Sequence, residues 1–202
     1  LITAPYTSRV LGPDKIGIYS RTYSIISMVI MIGALGSATY GQKEIAGARD
    51  NVQLRTSLFC EITMIKGLFT AFVSIVFLFI SSGNSDYEFY LIQLPFLAAA
   101  MIDISWFFQG IEKFKYIAIR NIFVRIAGVV LLFIFVKSPA DLWKYLLIIG
   151  GSQFLGNVSM WSYIRGNISK PNIRLKLIPT HIRGLMVYFI PSISYQIYAV
   201  LD

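Results

Sequence analysis

The sequence has 202 residues, of which 56% are hydrophobic and only 14% are charged, and its mean hydropathy is +0.66. Soluble domains carry about 25% charged residues, so this composition excludes an ordinary soluble domain and indicates membrane-spanning segments. The net charge of +8 does not indicate a nucleic-acid partner, because the basic residues stand at the ends of apolar runs. One cysteine, Cys60, and one histidine, His181, exclude an internal disulfide and argue against a His/Cys metal site.

Charge-free runs predict the membrane helices, since ~20 residues at ~1.5 Å per residue cross a hydrocarbon core of ~30 Å. In chain order, 1–7 is predicted to end a preceding helix and 8–21 to form an outer loop. The predicted spans follow at 22–42, 67–85, 89–111, 117–136, 145–164 and 184–201, the last of them incomplete. The fold class is therefore all-α, a polytopic transmembrane helix bundle. Because the chain opens and closes in apolar stretches, we expect a longer protein with at least five further helices.

The loops of this arrangement divide the 18 basic residues unequally between the two sides of the membrane. Segments 43–66, 112–125 and 165–183 hold thirteen of them, and the other side holds five. The positive-inside rule makes the richer side cytoplasmic. Within it, 43–61 and 112–120 mix basic and apolar residues, which fits either an interfacial helix or an ordinary cytoplasmic connector.

Charged residues inside a span indicate either function or buried pairing, because each is costly in hydrocarbon. Asp103 lies about eight residues from the cytoplasmic end of its predicted helix, and Trp106 and Phe107 follow at i+3 and i+4 on the same face. Arg125 lies at a similar depth in the next helix, so an Asp103–Arg125 pair is geometrically possible. Such a pair would be either a structural lock between two helices or part of a hydrated site.

Further polar positions in the spans are predicted to line a polar cavity or to bond neighbouring helices. They are Gln93, Gln109, Gln153, Asn157 and Gln196. Pro95 and Pro191 are expected to bend their helices, and the small residues near 33–37, 98–100 and 150–156 to allow close helix packing. The sequence contains neither a Ser/His/Asp or Cys/His set that can be assembled in the membrane nor a phosphate-binding loop motif, so no enzyme is expected.

Several segments resemble one family of bacterial exporters. They are 5–13 and 17–20, the stretch DISWFFQGIEKFKYI at 103–117, and two pieces at 191–194 and 201–202. These are similar to the oligosaccharide flippases that export O-antigen and capsule repeat units, within the multidrug/oligosaccharidyl-lipid/polysaccharide exporter superfamily. The 103–115 part is the most specific, and the resemblance runs along essentially the whole chain.

The resemblance implies a two-lobed fold of twelve or more helices in the bacterial cytoplasmic membrane, working by alternating access. Residues 1–183 would form most of the first bundle, and 184–202 would begin the second. The implied cargo is an oligosaccharide linked by pyrophosphate to a polyprenyl lipid. Cationic residues could shelter the pyrophosphate; Arg21 and Arg125 are the candidates in the spans, with Lys66 nearer the membrane edge. Lys66 is expected to snorkel to the interface, and Arg21 to anchor the outer end of its helix.

The candidate transport residues are therefore Asp103, Arg125, Trp106, Gln109, Gln93, Arg21 and Lys66. No cofactor is expected, although an H⁺ or Na⁺ gradient is a candidate driving force, and the polysaccharide polymerase machinery is a candidate partner. Three alternatives stay open at this point. They are a related exporter of a teichoic-acid-type polymer, the peptidoglycan lipid precursor or a drug; a membrane-embedded polysaccharide polymerase; and a membrane scaffold that transports nothing.

Overall fold

A computed structural model describes residues 3–171, 173–174 and 177–201, the side chains of 192 and 194–201 excepted. These residues form helices and turns, with no strand among them, so the predicted all-α class is confirmed. The helices are α1 Thr3–Ala34, α2 Ser37–Gly47, α3 Val52–Ile80, α4 Tyr87–Ile92, α5 Leu94–Ile102, α6 Ser105–Gly110, α7 Phe114–Phe135, α8 Leu142–Ser162 and α9 Ile178–Leu201.

Four helical stretches of the described chain are long and apolar enough to cross a membrane. They are Thr3–Gly47, Val52–Gly83, Tyr87–Gly110 and Phe114–Phe135. Each begins before one of the predicted spans and covers nearly all of it, although the last three end one or two residues short of the predicted end. Helix α8 has 21 residues, but polar side chains such as Gln153 and Asn157 make it less apolar than these four.

The N-terminal stretch is helical where the sequence predicts an outer loop at 8–21. Helix α1 covers that region, and its only irregular residue is Gly12, with φ 80° and ψ 165°. A residue with a side chain rarely adopts this conformation. Pro13 starts the next helical segment, because the φ of proline is fixed near the helical value. The predicted end of a preceding helix is therefore present, but it reaches Gly12, and almost no loop separates it from the next segment. A second break follows at Leu35 and Gly36, both with positive φ.

Contacts between turns show which helix ends share a side. Arg49 pairs with Glu112 at 2.6 Å, and Lys113 Nζ donates to Asn167 Oδ1 at 2.6 Å. These contacts gather the turns near 48–51, 111–113 and 163–169, which the charge distribution assigns to the cytoplasm. At the opposite end, Arg21 pairs with Asp86 at 2.7 Å. The predicted alternation of the helices is thus matched by the packing.

The cytoplasmic assignment of the basic loop gives a direct test. Lys170 is exposed in the connection between α8 and α9. In a Cys60→Ala background, Lys170→Cys should resist a membrane-impermeant maleimide in intact cells and react readily after permeabilisation. Ser82→Cys, in the exposed turn at the other end of α3, is the matched control and should react in intact cells. The reverse pattern would invert the topology.

Small residues let several helices approach closely, as predicted from the sequence. A Cβ atom added to Gly33 would lie 3.0 Å from Thr70, whose hydroxyl donates to the Gly33 carbonyl at 3.0 Å. A Cβ atom at Gly150 would lie 3.0 Å from the Phe96 ring. The adjacent Gly151 has open space around it, so its role is not packing of this kind.

Candidate functional site

The helix containing Asp103 is broken at that residue. Helix α5 ends at Ile102, Asp103 is extended with φ −65° and ψ 120°, and α6 starts at Ser105. The Asp103 Oδ1 atom accepts hydrogen bonds from the Ser105 amide at 3.1 Å and from the Ser105 hydroxyl at 2.5 Å. The carboxylate therefore satisfies the first amide of the second segment, which the break leaves without a helical partner. Trp106 does not share a helical face with Asp103, contrary to the prediction, because no continuous helix joins them.

The break leaves several main-chain carbonyls without a partner in their own helix. These carbonyls accept hydrogen bonds from side chains of other helices. Asn157 Nδ2 donates to the Ala99 carbonyl at 2.8 Å, and Trp161 Nε1 donates to the Ile102 carbonyl at 2.8 Å. Lys66 Nζ donates to the Asp103 carbonyl at 2.5 Å. Irregular backbone is tolerated at membrane depth only where such partners replace water. The break is therefore supported by residues of α3 and α8 rather than being a local irregularity.

The cation beside Asp103 is Arg120, and the pair with Arg125 that the sequence allows is not formed. Arg120 Nη1 lies 3.8 Å from Asp103 Oδ1, and its side chain is 11% exposed. Arg120 also donates to the Asn157 side-chain oxygen and, through Nη2, to Asn121 Oδ1 at 2.8 Å. Arg125 is exposed. The step of five residues from Arg120 to Arg125 turns the helix by about 140°, so only Arg120 faces the break.

A cavity of about 260 Å³ opens at this point between α1, α5, α7 and α8. Its lining includes the polar groups of the break and the rings of Tyr23 and Phe96, which meet edge to face with centroids 5.3 Å apart. The lining residues are Tyr23, Ile30, Phe96, Ala99, Ala100, Asp103, Arg120, Gln153 and Asn157. Aromatic rings, amides and a cation together suit a polar ligand with hydroxyl groups and an anionic part.

Four other predicted site residues lie away from this cavity. Gln93 is fully buried and donates to the Thr22 hydroxyl at 2.8 Å, so it joins two helices instead of facing a cavity. Trp106 is 1% exposed in the hydrophobic core, and Gln109 lies on α6 outside the cavity lining. Arg21, in the middle of α1, pairs with Asp86, which lies just before α4.

Lys66 is also placed differently from the prediction. The expected snorkelling to the interface is wrong, because the side chain is 4% exposed and its ammonium group is bonded at the break. Gln153 and Asn157 do line the cavity, as one of the two sequence interpretations proposed. The side chain of Gln196 is outside the described residues.

The family model described as polysaccharide biosynthesis protein matches residues 1–202. The chain belongs to this family. The resemblance drawn from segments 5–20 and 103–117 is thereby confirmed at the level of the family. Helices that can cross a membrane, together with the membership, make the chain a multi-pass protein of the bacterial inner membrane.

Two curated relatives of this family member are provisionally named O-antigen transporters. The protein of Escherichia coli strain K12 is 30% identical over 146 residues, covering 70% of this chain and 35% of the relative. The protein of Shigella dysenteriae is 23% identical over 203 residues, covering 98% of this chain and 51% of the relative. The chain therefore spans about a third to a half of the length of these relatives. No solved structure matches it.

A second buried polar cluster lies outside the cavity and centres on Glu61 of α3. The Glu61 carboxylate is fully buried and accepts hydrogen bonds from Arg174 and His181. His181 in turn contacts the Tyr40 hydroxyl. From the sequence, His181 was expected in the basic segment 165–183, and Glu61 had no predicted role. No local pattern could have indicated this cluster, since its members are up to 141 residues apart.

Proposed function

We propose that this family member is part of a transporter that moves polyprenyl-pyrophosphate-linked oligosaccharide repeat units across the inner membrane. The cargo would pass from the cytoplasmic to the outer leaflet for the synthesis of O-antigen or capsular polysaccharide. Family membership and the names of the relatives support a transporter. The observation that supports this cargo is the cavity at the broken helix, where Arg120 and Asp103 lie beside two amide side chains and two aromatic rings.

The physical need for such a cavity follows from the cargo. A sugar–pyrophosphate headgroup is too polar to cross ~30 Å of hydrocarbon unaided. Arg120 offers a planar cation that matches phosphate oxygens, and Gln153 and Asn157 offer donors and acceptors for sugar hydroxyls. Discontinuous helices are a common way to build polar sites near the middle of a membrane. Transport of this kind breaks no covalent bond, so no catalytic residue is assigned.

The chain also fits a place within a larger two-lobed exporter. We assign residues 1–183 to most of the first bundle and 184–202 to the start of the second. Helix α9 packs on α2 and α3 within the described chain, with Tyr40 of α2 directly against Gly184. An H⁺ or Na⁺ gradient as the driving force, and the polymerase machinery as a partner, are further parts of this proposal.

The test is deletion of the gene in a strain that carries the intact protein. Loss of the transporter should abolish surface polysaccharide. The amount of lipid-linked repeat units in the inner leaflet should rise at least tenfold. Complementation by the full-length gene should reverse both effects. A polymerase would act after export, so its loss should leave single repeat units at the cell surface. Detection of such units, or of normal surface polysaccharide, would contradict the proposal.

A further inference from the structure

The buried cluster around Glu61 joins four parts of the chain. The Glu61 carboxylate, on α3, accepts hydrogen bonds from the Arg174 amide at 2.7 Å and from Arg174 Nε at 3.2 Å. Its other oxygen lies 2.9 Å from His181 Nε2, on α9. His181 Nδ1 lies 2.8 Å from the hydroxyl of Tyr40, on α2. The exposures of Glu61, His181 and Tyr40 are 0%, 4% and 6%.

The cluster lies at the cytoplasmic end of the bundle. The connection that supplies Arg174 also supplies Asn167, whose carbonyl accepts a hydrogen bond from Arg55 Nη2 at 2.7 Å. Asn167 is in turn bonded to Lys113 in another turn on this side. None of the residues around Glu61 lines the Arg120 cavity, so the two polar sites are separate.

The chemistry of this contact suits an interface that opens. A buried ion pair adds little net stability compared with apolar packing, because desolvation of the charges offsets their attraction. Once separated, however, a carboxylate, a guanidinium and an imidazole are all hydrated well by cytoplasmic water. An apolar interface at the same place would expose hydrophobic surface each time it opened. The polar cluster therefore combines a specific closed geometry with a low cost of opening.

The contact between α9 and the bundle is close along its length near this cluster. A Cβ atom at Gly184 would collide with the Tyr40 ring, and a Cβ atom at Gly36 would lie 2.7 Å from the Phe189 amide nitrogen. Leu185, one residue after Gly184, is fully buried in the same region. Close packing of this kind seals the interface while the hydrogen bonds of the polar cluster are in place.

We propose that Glu61, His181 and Tyr40 form a latch that holds α9 against α2 and α3 at the cytoplasmic end and releases it during the conformational cycle. Arg174 balances the charge of Glu61 in the closed state. The latch is a property of the protein's conformations and does not depend on which cargo the transporter carries. Its failure can therefore be distinguished from failure of the proposed function.

Labelling of a buried cysteine measures the opening directly. In the full-length protein in bacterial membranes, with Cys60→Ala, Leu185→Cys should react slowly with a membrane-permeant maleimide. Adding Glu61→Gln or His181→Leu should raise that rate at least tenfold. His181→Gln, which keeps an amide donor toward Glu61, should raise it less. Leu146→Cys is the matched control, since Leu146 is equally buried but packs at the outer end of α8, and its rate should not change.

A general loss of folding would raise the labelling rates of both Leu185→Cys and Leu146→Cys. Such a result would contradict the latch. An unchanged Leu185→Cys rate in both Glu61→Gln and His181→Leu would overturn it as well. If Glu61→Gln does not accumulate in the membrane, the His181 variants decide the question alone. The exchange Glu61→His with His181→Glu should bring the Leu185→Cys rate back toward that of the parent, because the same pair is rebuilt in reverse.

Discussion

Replacing Arg120 with glutamine is expected to lower transport at least tenfold while leaving the amount of protein in the membrane within about twofold of normal. Arg120 is the cation at the cavity, and it is 11% exposed beside Asp103 and Asn157. A hydrogen bond to a charged group contributes about 1.5–3 kcal/mol, which corresponds to roughly ten- to a hundredfold in binding. Surface polysaccharide and lipid-linked repeat units, measured in complemented deletion cells, report the effect.

Arg125→Gln is the matched control for this variant. It removes the same charge from the same helix, but Arg125 is exposed and its side chain does not line the cavity. Transport should therefore stay within about twofold of normal. If Arg125→Gln were as harmful as Arg120→Gln, the net charge of α7 and not the cavity would determine transport. Near-normal transport with Arg120→Gln would show that the Arg120 charge is not needed to bind the cargo.

The sequence predicted the helices well because hydrophobicity alone decides where a chain can cross a membrane. It predicted the cavity only in part. Asp103, Gln153 and Asn157 were recognised as polar residues in apolar surroundings, and all three line the cavity. Arg120 was assigned to the mixed basic and apolar stretch 112–120, because counting residues from the helix end gives its depth but not the direction in which it faces.

The error at Arg125 has a specific physical cause. The prediction assumed a continuous helix through Asp103 and compared the depths of the two charges along straight axes. The chain instead leaves the helix at Asp103, and the side chains that support this break come from α3 and α8. Such support is a long-range property of the packing, so a single sequence does not reveal it. The same reason explains why Lys66 was expected at the interface and why Glu61 and His181 were not connected.

The variant Asp103→Asn separates the two roles that the sequence left open for Asp103. Replacing Asp103 with asparagine keeps a side-chain oxygen that can accept hydrogen bonds from the Ser105 amide and hydroxyl, so the break should persist and the protein should stay abundant. The charge beside Arg120 is lost, however, and the balance of charge in the cavity changes. We expect transport to fall at least fivefold, with lipid-linked repeat units accumulating in the inner leaflet.

Replacing Asp103 with leucine removes the hydrogen bonds to Ser105 as well as the charge. Loss of a side-chain acceptor for an amide at the start of a helix costs about 0.5–2 kcal/mol, so this variant should also be less abundant and should unfold at a lower temperature in detergent. If Asp103→Asn lowered abundance as strongly as Asp103→Leu, the charge itself would be part of a structural lock. In that case the exchange Asp103→Arg with Arg120→Asp should restore folded protein, whereas the exchange with Arg125→Asp should not, since Arg125 faces away from the break. Normal abundance and normal surface polysaccharide in Asp103→Asn cells would exclude both roles, because neither the charge nor its pairing with Arg120 would then matter to the protein.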